Sequence, residues 1–239
     1  FPNPPADPLQ PGNLVDLQKR VIASNADVGL AFDGDADRVF LVDEKANLVS
    51  GSMTTALVAS AILESEGPGP ILHNLICSRA TVEAIEEAGG EPIRTRVGHS
   101  YIKAIMAETG AMFGGEHSGH YYFARNYGAD SGLIAALIVL ERLSLDGRQL
   151  SSLVAPLQRY SSSGEVNVEV DSTGDAIETV SGFFSDHQQD RLDGLTVECG
   201  DWWFNLRPSN TEPLLRLNVE GPDEKQVEDR VEQILSLFS

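Results

Sequence analysis

Between residues 52 and 160, apolar segments of helix length alternate with segments of strand length, and few folds accept that order. Residues 53–64 read as a helix, 71–76 as a strand, and 80–88 as a helix stopped by Gly89-Gly90. Residues 92–96 read as the next strand. A third helix starts near Ser100, whose hydroxyl suits an N-cap, and stops at Gly110. Two short strands flank residues 114–120, and Asp130-Ser131 caps a helix that reaches about Leu145. Strands joined by helical crossovers predict an α/β layer on a largely parallel or mixed sheet.

On the N-terminal side of this layer, a Pro-rich extended stretch over 1–13 leads into a helix over 14–24. Strands over 28–32 and 39–42 follow. Beyond it the texture changes at Ser161-Ser162-Ser163-Gly164, which reads as a linker. Residues 165–170 alternate polar and apolar, strands follow at 195–198, 202–206 and 214–219, and residues 224–238 place Val227, Val231, Ile234, Leu235 and Phe238 on one helical face. That is a small α+β C-terminal domain. No internal repeat is visible.

The formal charge of −19 makes nucleic acid and anionic membrane surfaces poor partners. No run of some 18 uncharged apolar residues is present, and residues 133–140 read as a buried helix. Cys77 and Cys199 lie far apart, as reduced structural thiols of a cytoplasmic protein do. The chain opens on Phe1-Pro2-Asn3-Pro4-Pro5, a loop without an initiator Met, so further sequence is expected upstream. If the ligand is a phosphate, local Arg and His must overcome the global field.

Asp33-Gly34-Asp35-Ala36-Asp37-Arg38 follows a buried apolar strand and sets carboxylates at i, i+2 and i+4. Three hard oxygen donors on one loop suit Mg²⁺, with small spacer residues letting the backbone bend around an ion. Aspartates at these spacings also open an EF-hand, with Glu44 at its twelfth position. That loop needs Gly where Arg38 stands, and its flanks are helical. A solvated acidic turn is the bland alternative.

Gly114-Gly115-Glu116-His117-Ser118-Gly119-His120 combines glycines, a carboxylate, a hydroxyl and two imidazoles. Glu accepts and Ser donates or accepts, which suits neighbouring sugar hydroxyls. A serine-hydrolase elbow needs Gly where Glu116 stands. A metal pair of His117 and His120 finds no Cys or further His nearby in sequence. A plain turn leaves the carboxylate unexplained. Arg207-Pro208-Ser209-Asn210-Thr211-Glu212-Pro213 lies between two strands and gathers donors suited to an anion. An ordinary turn is its competing reading.

These three segments, in this order, resemble the metal, sugar and phosphate loops of the α-D-phosphohexomutases. Pro4-Pro5-Ala6-Asp7-Pro8 with Asn13-Leu14 resembles the stretch ahead of the metal loop, and Gly98-His99-Ser100-Tyr101-Ile102-Lys103 resembles a further ligand segment. The serine-containing form of the sugar loop is similar to the phosphomannomutase/phosphoglucomutase branch. The resemblance implies the end of domain two over 1–47, α/β domain three over 48–160 and α+β domain four over 161–239. It implies Mg²⁺ on Asp33, Asp35 and Asp37, and Arg38, His99 and Lys103 assisting catalysis. It further implies sugar-phosphate contacts from Glu116, Ser118, His120, Arg207, Ser209, Asn210 and Thr211. The implied substrate is a mannose or glucose phosphate, and the implied reaction exchanges phosphoryl with a phosphoserine through a bisphosphate. The family's Thr-Ala-Ser-His-Asn-type motif is absent, and Ser60 lies in a helical pattern, so the upstream domains are expected to supply the serine. Related enzymes often carry Lys where Ile76 stands. A non-catalytic sugar-phosphate binding module and a phosphoglucosamine mutase are the competing assignments.

Overall fold

The computed structural model describes residues 5–209 and 214–238, and the chain divides into two units at 158/159. In the first unit, α1 (Val15–Ser24) leads into a hairpin of β1 (Val28–Phe32) and β2 (Val39–Asp43), with β3 (Leu48–Val49) returning along β2. Register runs from Val28↔Asp43 to Phe32↔Val39, so residues 33–38 are the hairpin's whole connection. Asp43 fixes the far turn by accepting from the N–H groups of Lys45 and Asn47.

Next come α2 (Gly51–Glu66), β4 (Pro70–Asn74), α3 (Arg79–Glu87), β5 (Glu91–Thr95), α4 (His99–Thr109), β6 (Phe113–Gly115), β7 (Tyr121–Phe123), β8 (Ala129–Asp130), α5 (Gly132–Asp146) and α6 (Leu150–Val154). The sheet order is β5-β4-β6-β7-β8. β4 pairs in parallel with β5 and β6, and β6-β7-β8 are antiparallel. The sheet is therefore mixed. Each parallel pairing needs a crossover, which α3 and α4 provide. Met53, Ala56, Val58, Ala59, Ile62 and Leu63 are all buried on α2, which leaves Leu57, Ser60, Ala61 and Glu64 on its one partly exposed face.

Two expectations need correcting here. β4 ends at Asn74, because Leu75 and Ile76 turn toward Ser78, whose side chain caps α3. Ser100 is no cap: α4 starts at His99, after Gly98 at φ 129°, a conformation closed to Ser.

The second unit contains β9 (Ser161–Glu169), α7 (Thr173–Phe183), β10 (Gln188–Asp190), β11 (Leu195–Glu198), β12 (Trp203–Pro208), β13 (Leu214–Gly221) and α8 (Glu224–Leu235). Its sheet, β10-β11-β12-β13-β9, is antiparallel throughout. The serine-rich segment is the first half of β9 rather than a linker. Ser161 and Ser162 pair with Gly221 and Glu220, and Ser163 Oγ accepts from Val219 N–H at 2.9 Å. Phe204, Leu206, Leu215 and Leu217, none of them exposed, pack with Ile177 and Val180 of α7 and Ile234 of α8. Each such side chain contributes about 1.5–3 kcal/mol.

Candidate functional site

The acidic residues between β1 and β2 are organised from inside. Arg38 clamps Asp33, its N–H donating to Oδ1 at 3.1 Å and its Nε to Oδ2 at 2.6 Å. Ala36 takes φ 62°, which curls the loop so that oxygens of Asp33, Asp35 and Asp37 come within 4.8 Å of one another. Asp37 Oδ1 is buried with no hydrogen-bond partner. Burial, then the hydrogen bond and charge of Asp33 and the charges of Asp35 and Asp130, push the Asp37 carboxyl up to about 6. Burial acts the same way on Asp33, but the Arg38 hydrogen bonds outweigh it and hold that carboxyl below its usual value. Carboxylates crowded together, with a buried oxygen lacking a donor, fit a hard divalent cation. Helical flanks are absent, and Glu44 turns to Ser151, accepting from its N–H at 3.1 Å, so the EF-hand alternative fails.

The glycine-rich loop between β6 and β7 is fastened to the acidic loop. Val39 N–H donates to the Gly119 carbonyl at 3.3 Å, and Arg38 and His120 form a β-bridge. Two helices begin against these loops at positions where only Gly fits. A Cβ on Gly51 would stand 2.2 Å from the His117 carbonyl oxygen, and one on Gly132 would stand 2.5 Å from the Arg38 carbonyl oxygen. A third start, at α4, donates the Gly98 N–H to Glu116 Oε1 at 3.3 Å. Three helices thus begin against the two joined loops, and each start carries the positive end of its dipole.

Glu116 is 2% exposed. Burial raises its carboxyl, opposed by hydrogen bonds from Ser118 Oγ (2.8 Å, to Oε2) and Gly98. Glu116 and Ser118 are therefore joined to each other inside the loop. His117 is held apart from His120 by Ser52, whose Oγ lies 2.9 Å from its Nδ1. His120 instead meets His99 and Lys103 at Asp130, a residue that the sequence marks only as part of a helix cap. Asp130 Oδ2 lies 3.1 Å from His120 Nδ1 and 3.2 Å from His99 Nδ1, and Oδ1 lies 3.1 Å from Lys103 Nζ. Burial pushes the Asp130 carboxyl up, but the Lys103 hydrogen bond and the charges of Lys103 and His99 prevail and lower it. Burial, then the neighbouring His99, bring His120 down to about 4, so its ring is neutral near pH 7. Its Nδ1 also lies 3.7 Å from Asp37 Oδ1, which joins this cluster to the acidic loop. His99, His120 and Asp130 have the donor types of a metal site, but the Lys103 ammonium already neutralises Asp130.

Ile76 and Cys77 sit buried after β4, and burial pushes the Cys77 thiol up to about 12. Neither cysteine is in a disulfide. Arg207 and Ser209 belong to the second unit, while Asn210 and Thr211 lie outside the described residues. The sequence reads Arg207 as one of the donors gathered for an anion. The structure buries it to 4% exposure and gives its Nη2 to Glu165 at 2.8 Å, because β12 points it across the sheet toward β9. Ser209 N–H donates to the Leu214 carbonyl at 2.9 Å, closing the neck of the loop.

Three family models account for most of the chain. Phosphoglucomutase/phosphomannomutase alpha/beta/alpha domain II matches residues 1–47, alpha/beta/alpha domain III matches 50–160, and the C-terminal domain matches 165–237. The chain belongs to the phosphoglucomutase/phosphomannomutase family. Within that family, it is 40% identical over 239 residues to a phosphomannomutase of Methanocaldococcus jannaschii, covering 100% of this chain and 53% of the relative. It is 40% identical over 243 residues to a phosphomannomutase of Escherichia coli K12, again covering 100% and 53%. A solved family structure from Burkholderia thailandensis superposes with a TM-score of 0.85 at 32% identity, over 96% of this chain and 51% of that one. The chain spans about half the length of the curated relatives it matches.

Proposed function

We propose that this chain is the metal-, sugar- and phosphate-binding part of a phosphohexomutase that interconverts hexose 6-phosphate and hexose 1-phosphate through a bisphosphate. Residues 1–47 would close domain two, 48–160 would form domain three and 161–239 domain four. The observation that carries the reading is the acidic loop with its unpartnered Asp37 oxygen, tied by backbone to the glycine-rich loop.

Asp33, Asp35 and Asp37 would hold Mg²⁺, which when bound neutralises charge on a transferring phosphoryl group. Arg38 keeps Asp33 ionised and aimed. With Nδ1–H directed at Asp130, His120 offers its other ring nitrogen as an acceptor for a sugar hydroxyl proton. Lys103 and His99 hold Asp130 in place, and the Lys103 ammonium adds positive charge beside the ligand. Glu116 and Ser118 would meet the sugar hydroxyls, and Arg207, Ser209, Asn210 and Thr211 the non-reacting phosphate. Mannose and glucose phosphates, a cytoplasmic setting and upstream domains bearing the phosphoserine belong to the same reading. A binding module without catalysis is the alternative, favoured only by the missing serine motif.

The test compares the 239-residue chain with its full open reading frame, using mannose 1-phosphate, Mg²⁺ and a hexose bisphosphate followed by ³¹P NMR. The full protein turns over and loses activity in Asp35→Asn, while the chain alone does not. Turnover by the chain alone, or full activity in Asp35→Asn, would overturn the proposal.

A further inference from the structure

One face of the second sheet is polar and buried. Strand alternation puts Asn205 and Arg207 of β12, Arg216 and Asn218 of β13, and Glu165 of β9 opposite the core side chains Leu206, Leu215 and Leu217. Asn205 is fully buried, and Asn218 is 6% exposed. Arg207 and Arg216 stand directly across from each other, which like charges disfavour. Glu165 bridges them, with Oε2 2.8 Å from Arg207 Nη2 and Oε1 3.1 Å from Arg216 Nη1. Glu165 is thus shared between two guanidinia, and the charge of Asp193 also bears on Arg207.

Arg207 Nε, Asn218 Nδ2 and Asn205 Oδ1 are buried on this face with no hydrogen-bond partner. Two of the three are donors, and folded proteins rarely leave buried donors unsatisfied. Nε and Nη2 form one edge of the Arg207 fork, and Glu165 uses only Nη2. That edge matches two oxygens of one oxyanion. The Arg216 side chain is 27% exposed, so the pair is reachable from solvent.

Resting on the reading of Arg207 as a phosphate ligand, we propose that Arg216 is a second arginine of the same phosphate-monoester seat and that Glu165 is the internal carboxylate with which the phosphate competes. A phosphate monoester would then be held from two neighbouring strands. Its arrival would free Glu165 from the arginine pair.

The experiment follows the arginine Nε–Hε signals of the ¹⁵N-labelled 239-residue chain during titration with inorganic phosphate, with chloride at matched ionic strength as control. In wild type the Arg207 and Arg216 signals move with phosphate and not with chloride. Arg216→Gln weakens the affinity read at Arg207 about tenfold, and Arg216→Lys restores part of it. Glu165→Gln tightens phosphate about three- to tenfold, a gain that a misfolded variant cannot produce. An Arg207 signal indifferent to phosphate overturns the reading of the loop itself. If Arg207 responds but Arg216→Gln binds as wild type, or Glu165→Gln fails to tighten, the second arginine and its competitor are wrong while the loop reading stands.

Discussion

Asp37 carries the plainest pH signature. Its carboxyl sits at about 6 in the folded chain against an ordinary 3.8, so the folded state favours the protonated form. That contribution to stability is fully present below the ordinary value and is lost as pH rises through about 6. A divalent cation needs the ionised form and offsets the loss. Saturating Mg²⁺ should therefore raise Tm by about 2–5 °C at pH 7.5 and scarcely at all at pH 5. Scanning calorimetry at both pH values checks this, and Asp35→Asn should erase the difference. Asp130 makes a separate prediction. In the full-length enzyme, Asp130→Asn should lower kcat/KM by about ten- to a hundredfold while leaving Mg²⁺ affinity within about twofold, because it touches His99, Lys103 and His120 rather than the acidic loop. Equal loss of metal affinity would place it with the ligands instead. The three aspartates are legible in the sequence because their spacing is local. Asp130 is not, because its partners lie 10, 27 and 31 positions away and only the fold brings them together.

At the scale of elements, α5 is set against the acidic loop by its first turn. Ser131 Oγ accepts from Ile134 N–H at 3.2 Å, so Ser131→Ala should cost about 1 kcal/mol in urea unfolding. Gly51→Ala should cost more, about 1–3 kcal/mol, since its Cβ would meet backbone rather than a movable side chain. An unchanged midpoint in Gly51→Ala would mean that the glycine-rich loop can give way. The β1–β2 hairpin and the strand–helix alternation of the first unit are readable because each apolar run has a length proper to one element. α7 is not. Thr173–Phe183 holds two glycines, three residues branched at Cβ beside Thr173, and little helix propensity. Its helical state rests on Ala176, Ile177 and Val180 packing against the sheet, a tertiary cause. The serine-rich start of β9 misleads for a related reason: its place in the sheet comes from pairing with β13, not from its composition.

The molecule as a whole is strongly acidic, at −19, yet the proposed ligand is a dianion. Long-range repulsion of that kind is screened by salt while short charge-assisted contacts are less so. Sugar-phosphate affinity should therefore fall less between 20 and about 150 mM salt than for a site fed by exposed lysines, and could rise slightly as the global field is screened. Calorimetric titration of the full-length protein across that range decides it; a steep fall would mean that exposed cations dominate. The three helix starts set against the joined loops give this a further consequence. Peptide dipoles have no proton to lose, and no side-chain replacement removes them. A ligand field built from backbone is therefore invisible to alanine scanning and silent in a titration curve. The surface is left free to drift in charge, toward acidity or away from it, without the site having to follow.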